Sequence, residues 1–178
     1  MKSRRVLINL TLIISVLIVS VYGTFSFAQA HEVAASKLSS EQTDSLNRVN
    51  IYRQSLNLKP LRWNSDLAKA AEMKLCDEDE NNYFDHISPR GKKAWDFINT
   101  SGYNYKYAGE NLAMDYDDEK GAFDAWVRSP AHLENIVSDK FLDYGFANRY
   151  VDINGKKTMM MVQMFGGQVS FYERILSG

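Results

Sequence analysis

The sequence contains very little cysteine and no excess of positive charge, and both absences narrow its class. Its 178 residues include one cysteine, Cys76, so no disulfide can form within the chain. A small scaffold held together by disulfides is therefore excluded. There are 21 basic residues against 22 acidic ones, whereas a nucleic-acid-binding protein needs a basic face to displace counterions. We therefore expect no nucleic acid among the partners.

Internal repeats, low-complexity tracts and several short enzyme motifs are also missing. No Gly-x-Ser-x-Gly elbow surrounds a serine, and no two histidines lie four residues apart as they do on a metal-binding helix. Ser88 and Ser129 are each followed by proline, which favours a turn or cap residue over a nucleophile. The composition, 45% hydrophobic and 24% charged, is typical of an ordinary globular domain.

The first thirty residues have the pattern of a secretory signal peptide. A basic start precedes an apolar run over 10–21, and Ala-Gln-Ala at 28–30 matches the small-x-small cleavage site. The apolar run is short for a membrane span of about 20 residues. We therefore predict a signal peptide over 1–30, a linker over 31–40 and one domain over 41–178. After cleavage we expect no transmembrane anchor, and the scarcity of cysteine favours bacterial export.

Hydrophobic periodicity and capping residues predict two helices at the start of the domain. Ser39 and Gln42 form a capping box for the first, which ends before Pro60. Asn64 begins the second, whose buried face runs over 67–75. We interpret Cys76 as a small buried residue. The acidic run that follows, at 77–80, is interpreted as the frayed, solvated end of the second helix, because acids there oppose the helix dipole.

Three more helices and a β region follow. The pattern predicts a helix over 92–100, and alternating tyrosines at 103–107 indicate a strand or extended chain. Acids at 115–118 precede a further helix, and Ser129 with Pro130 starts another that carries His132 on its first turn. Strands are predicted over 144–151, 158–165 and 168–176, with an Asn-Gly hairpin turn at 154–155 and the middle strand central. The fold class is therefore α+β.

Two histidines and one carboxylate are the residues best suited to chemistry. His86, Glu110 and His132 lie 24 and 22 residues apart, a spacing that does not by itself require a shared site. If they meet, three such ligands suit zinc with one open position, or they support acid–base work without metal. Alternatively, His86 bonds its own turn, Glu110 caps backbone amides, and His132 bonds the preceding helix end.

Five short motifs, in order, carry a resemblance to a known family. They are Phe-x-His-x-Ser-Pro-x-Gly at 84–91, Gly-Glu-Asn-Leu-Ala at 109–113, Ala-Trp-x-x-Ser-Pro-x-His-x-x-Asn-Ile at 125–136, Tyr-Gly-Phe-Ala at 144–147 and Gln-Met-Phe-Gly at 163–166. Together they resemble the CAP superfamily, also called the SCP or pathogenesis-related-1 family, in its bacterial form. One departure is Val162, where the family's late strand has threonine.

The resemblance implies a three-layer α-β-α sandwich around a central, mostly antiparallel sheet. It also implies a cleft in which two histidines and two acids converge, and three of these positions fall on His86, Glu110 and His132. The fourth, a glutamate in many eukaryotic members, is Ser129 here, which weakens any mechanism that needs two carboxylates. Four neighbours of these residues in the sequence are further candidates for the wall of the cleft: Ser88, Asn111, Ser129 and Asn135.

From this resemblance we expect an exported, monomeric protein that binds an envelope or extracellular ligand. The ligand classes it implies are lipid, peptide and glycan, with zinc or another divalent cation as the cofactor to consider. A hydrolase that cleaves peptide or cell-wall polymer, with Glu110 as general base, is the alternative. Fold-level similarity does not decide between them.

Overall fold

The computed structural model describes residues 38–168. The signal peptide predicted over 1–30, and all but the first residue of the strand predicted over 168–176, lie outside this range. Within the described range, no helix is both long and apolar enough to cross a bilayer.

The first two helices begin where their capping residues place them. Helix α1 spans Ser40–Ser55, and its N-cap Ser39 exchanges both hydrogen bonds of a capping box with Gln42. Helix α2 spans Ser65–Asn81, and the side chain of Asn64 accepts the first free backbone N–H groups. Both predicted starts are confirmed.

Three shorter helices follow. Helix α3 spans Ala94–Ser101 and ends at Gly102 in the left-handed conformation. Helix α4 spans Glu119–Arg128, and its N-cap Asp118 accepts a hydrogen bond from the backbone of Gly121. Helix α5, Pro130–Val137, has Pro130 in its first position as predicted, but the Ser129 side chain makes no capping hydrogen bond.

Four strands form one sheet in the described part of the chain. They are β1 Arg62–Trp63, β2 Tyr107–Met114, β3 Asp143–Ile153 and β4 Lys156–Gly167. The order across the sheet is β1-β3-β4-β2, and only the short β1 pairs in parallel. The strand predicted as central is therefore central, and the turn at 154–155 takes positive φ at both residues. Of the alternating tyrosines at 103–107, only Tyr107 lies in a strand, because β2 begins there.

Side chains of β4 alternate between two apolar clusters, one on each face of the sheet. Met160, Val162 and Met164 join the cluster covered by α2 and α3. Met161 and Phe165 join the cluster covered by α1, α4 and α5. This confirms the three-layer α-β-α arrangement, with β2 as an edge strand between two layers of helices.

Two interpretations of α2 were wrong. Glu78, within the acidic run, is fully buried, and the helix continues through that run to Asn81. Cys76 is not a buried residue, because it is only partly covered and its sulfur lies 2.9 Å from Nη1 of Arg149. Both misassignments concern positions whose neighbours come from distant parts of the chain.

Candidate functional site

The loop that carries His86 is held by hydrogen bonds from Lys74 on α2 and by hydrogen bonds between its own residues. Nζ of Lys74 lies 2.5 Å from the carbonyl oxygen of Asp85 and 3.0 Å from the hydroxyl of Tyr83. Oγ of Ser88 accepts a hydrogen bond of 3.0 Å from the backbone N–H of Lys92 and a longer one, of 3.3 Å, from the backbone N–H of Arg90. Ser88 therefore shapes the turn, and the loop presents the imidazole of His86 with 58% of its surface exposed.

His86 and Glu110 meet directly. Nδ1 of His86 lies 2.5 Å from Oε2 of Glu110, whose side chain is only 3% exposed. The other oxygen, Oε1, is buried and has no hydrogen-bond partner among the described residues. The hydrogen bond to Glu110 raises the pKa of His86 above its usual 6.5, against an opposing effect of partial burial.

Replacing Glu110 by glutamine is expected to lower the pKa of His86, because a neutral amide cannot favour the imidazolium. NMR titration of the imidazole resonances measures this change. Because the folded pKa is raised, the pair's contribution to stability is complete below about 6.5 and is lost as pH rises through the folded value. Asp85→Asn is the matched control: it removes a nearby charge that does not bond the ring, so the pKa should fall less. An equal pKa in the protein and in Glu110→Gln would contradict the assignment.

His132 approaches the edge strand from the opposite layer of helices. It lies on α5, and its carbonyl oxygen accepts a hydrogen bond of 3.1 Å from Nδ2 of Asn111. Burial, and then the charge of His86, lower the pKa of its imidazole. The charge of His86 therefore acts on His132, although His132 is carried by a helix of the other layer.

A cluster of amide side chains joins β2 to α5. Nδ2 of Asn135 donates to the carbonyl oxygen of Glu110 at 3.0 Å and to Oδ1 of Asn111 at 2.9 Å. Nδ2 of Asn111 also donates to Oε1 of Gln163 on β4 at 3.0 Å. Asn111 and Asn135, which the sequence placed in the wall of the cleft, therefore fix the backbone that carries Glu110. The side chain of Ser129 makes no such contact.

The described residues do not form a metal-ligand set. Between residues 38 and 168, no group of three or more histidine, cysteine, aspartate or glutamate side chains is arranged to hold an ion. Nδ1 of His86 is instead engaged by Glu110. We therefore derive no chemistry through a metal, and zinc binding stays a prediction. Perturbation of both imidazole resonances by added Zn²⁺ in the NMR titration would support it.

Sequence reasoning missed a buried ion pair under the site. Lys74 and Glu78, one turn apart on α2, are both fully buried, and Nζ lies 3.1 Å from Oε1 of Glu78. This contact does not have the geometry of a hydrogen bond, and neither carboxylate oxygen of Glu78 has a hydrogen-bond partner among the described residues. The four-residue spacing of opposite charges, in register with Ala70, Ala71 and Leu75 on the buried face, was the available signal. Charges on a buried face need a partner, so the pair marks a polar region inside the domain.

A cavity of about 360 Å³ opens beside the His86–Glu110 pair. Its walls are largely apolar. Two of the residues that line it, Ile87 and Trp95, are 50% and 38% exposed. A second cavity of the same volume adjoins it and shares Ala108 and Asn135. A concave, mostly apolar space with a few convergent polar groups is the usual form of a small-ligand site.

The motif order and this geometry agree with a comparison to known families. Residues 46–165 match the model of the CAP family, described as the cysteine-rich secretory protein family. The chain belongs to the CAP family. The resemblance to this family implies a cleft at the positions of His86, Glu110 and His132. The structure brings the first two into contact.

Among similar proteins, the uncharacterized protein YkwD of Bacillus subtilis is 35% identical over 112 residues, which is 63% of this chain and 44% of YkwD. An extracellular SCP-domain protein of Bacillus anthracis has a TM-score of 0.63 at 24% identity over 75% of this chain and 45% of that one. An outer surface protein of Borrelia burgdorferi has a TM-score of 0.60 at 21% identity over 70% of this chain and 90% of that one. These two solved CAP-fold structures confirm the fold. The chain spans less than half the length of the curated relatives it matches.

Proposed function

We propose that this CAP protein is exported and binds a ligand of the cell envelope or extracellular space in the cleft beside His86 and Glu110. One observation carries the proposal: the His86–Glu110 pair lies in the wall of a largely apolar cavity of about 360 Å³. A concave apolar space with a few polar groups that fix orientation is what a small-ligand site requires. A ligand in this cavity can contact the imidazole of His86, which is more than half exposed.

The arrangement of charge supports binding in preference to hydrolysis. Among residues 38–168, Glu110 is the one carboxylate in the wall of this cavity. Ser129 replaces the second acid found in many eukaryotic members, and Glu78 is fully buried and cannot touch a substrate. Hydrolysis that uses two carboxylates as acid and base therefore lacks one of its groups.

Export is supported by the pattern of residues 1–30 and by the similar proteins. The Bacillus anthracis protein is described as extracellular, and the Borrelia burgdorferi protein as an outer surface protein. Both descriptions support a ligand outside the cytoplasm as part of this proposal. Envelope polymers and extracellular peptides are the ligands available there.

Binding to envelope fragments of Bacillus subtilis, the source of one relative, tests the proposal. We expect the purified protein to co-sediment with the fragments, and Glu110→Gln to raise the dissociation constant by about tenfold, which corresponds to about 1.4 kcal/mol. Glu80→Gln is the matched control, because Glu80 is exposed on α2 and lines neither cavity. Equal binding by Glu110→Gln and the control would remove the site from the proposal.

The same preparation distinguishes the alternative of a hydrolase. The short His86–Glu110 contact is also the geometry of an acid–base pair. Release of soluble peptide or sugar fragments that stops in Glu110→Gln would establish an enzyme with Glu110 as general base. Sedimentation without release of fragments would establish a binding protein.

A further inference from the structure

We propose that the ligand of the cleft is an extended peptide that pairs with the outer edge of β2 at Ala108 and places a large apolar side chain in the cavity beside His86. This inference rests on the proposed function, because it names the ligand class of the same cleft. It is carried by the edge of the sheet and the lining of the cavity.

Among residues 38–168, strand β2 has one edge paired with β4 and one outer edge. The backbone of Asp115 donates to Met159 on β4, so alternate residues from Asp115 back to Gly109 face β4. The residues between them direct their N–H and C=O groups outward. Two of these outward carbonyls are occupied: Glu110 accepts from Asn135 at 3.0 Å, and Leu112 accepts from Nε1 of Trp126 at 2.9 Å.

Ala108 is the next outward residue on the same edge. It lines both cavities, which adjoin at this point. Its outward N–H and C=O therefore face a groove that continues on either side, whereas side chains of α4 and α5 close the edge beyond it. An extended chain that adds to a sheet edge needs such a donor and acceptor beside open space.

The cavity fits one large apolar side chain of a peptide paired there. Ile87 and Trp95 expose apolar surface into it, and the floor is made by the small residues Ala108 and Gly109. Gly109 has no room for a larger residue, because a Cβ there would lie 2.6 Å from Oδ1 of Asn135. In strand addition, backbone pairing supplies affinity and a pocket for alternate side chains supplies specificity.

The edge at Ala108 favours a peptide over the other two ligand classes. Its outward N–H and C=O require an acceptor and a donor at the spacing of an extended backbone, and an acyl chain supplies neither. Sugar hydroxyls donate and accept, but they do not repeat that backbone spacing.

Selection from a displayed library of random heptapeptides against the purified protein provides the probe. The strongest peptide is then synthesised, together with versions N-methylated at one position each, and their affinities are measured by calorimetry. We expect N-methylation at the pairing residue to weaken binding at least about tenfold, and methylation of its immediate neighbours to have little effect. Strand pairing predicts this pattern, because only alternate N–H groups of a peptide face the strand with which it pairs.

A protein variant tests the same contact from the other side. Ala108→Pro removes one outward N–H while leaving the bonds to β4, a position at which an edge strand tolerates proline. It should weaken the peptide at least about tenfold with an unchanged circular dichroism spectrum. Ala113→Ser is the control. The backbone of Ala113 faces β4, so this substitution leaves the outer edge of β2 intact and should not change affinity.

The possible results separate this inference from the proposed function. A selected peptide whose affinity is insensitive to every N-methyl group would overturn strand pairing. Failure to select any peptide, together with Glu110-dependent binding of chitotetraose, would overturn the peptide assignment but keep the cleft as a binding site. If Glu110→Gln and Ala108→Pro both retain full envelope binding, this inference and the proposed function are both overturned.

Discussion

Replacing Gly145 by alanine is expected to destabilise the domain by about 3 kcal/mol or more. Gly145 lies in β3 where the strand crosses α2. A Cβ on Gly145 would lie 2.2 Å from the backbone nitrogen of Ala68 and 2.3 Å from the carbonyl carbon of Leu67. These are helix backbone atoms, which cannot rotate away as the end of a long side chain can. The strand and the helix must therefore separate.

Urea denaturation of the purified protein measures this effect as a shift of the unfolding midpoint. Gly121→Ala is the matched control. Gly121 lies within α4, and the nearest atom to an added Cβ is at 3.4 Å. The same substitution should there stabilise the protein by about 0.5–1 kcal/mol, since alanine is the better helix former. Equal midpoints for Gly145→Ala and the parent protein would show that β3 does not rest on α2 as described.

The close approach at Gly145 also matters for the site. It brings α2 down onto the sheet, and α2 carries Lys74, which holds the loop of His86 through Asp85. A loosened α2 would therefore disturb the cleft as well as the core. We expect residual folded Gly145→Ala protein to bind envelope fragments more weakly than the parent protein.

Replacing Glu78 by glutamine is expected to favour the folded state more near pH 8 than near pH 4, by a difference of about 3 kcal/mol. Burial raises the pKa of Glu78 from 4.5 to about 7; the charge of Lys74 opposes this shift and that of Glu110 adds to it. Between these two values the folded protein holds a proton that the unfolded chain has lost. Stability of the parent protein therefore falls as pH rises through this window, whereas glutamine does not titrate.

Thermal and urea unfolding across this pH range measure the difference. Glu80→Gln is the control, because Glu80 lies on the same helix with an exposed side chain. Its effect on the unfolding free energy should stay within about 0.5 kcal/mol at every pH. Parallel stability profiles for Glu78→Gln and the parent protein would show that Glu78 keeps an ordinary pKa, and that Lys74 compensates its burial fully.

Local patterns were sufficient for most of the secondary structure. Ser39, Asn64, Asp118 and Pro130 mark helix starts through hydrogen bonds or fixed φ angles that act within one turn. The Asn-Gly turn at 154–155 fixes the last hairpin for the same reason. The tyrosines at 103–107 were a weak guide, because only Tyr107 lies in a strand. Tyr103 is buried and bonded to Asp143, not paired in a strand.

The candidate site could be predicted only in part. The motifs named His86, Glu110 and His132, but not which of them touch. His86 bonds Glu110, while His132 lies on the other layer and contacts Asn111 through its backbone. The buried pair of Lys74 and Glu78 was interpreted as exposed at its acidic end, since charge and helical spacing do not show which face another element covers.

The sequence alone determined the α+β class, the helix starts, the last hairpin and the family, because each depends on residues close together in the chain or on ordered motifs. Only the tertiary structure decided that Glu110 reaches His86, that Glu78 is buried, and that Ala108 opens onto a groove. These outcomes depend on how the two helical layers pack against an edge strand. Such packing is fixed by contacts between residues far apart in the chain, and no local pattern records them.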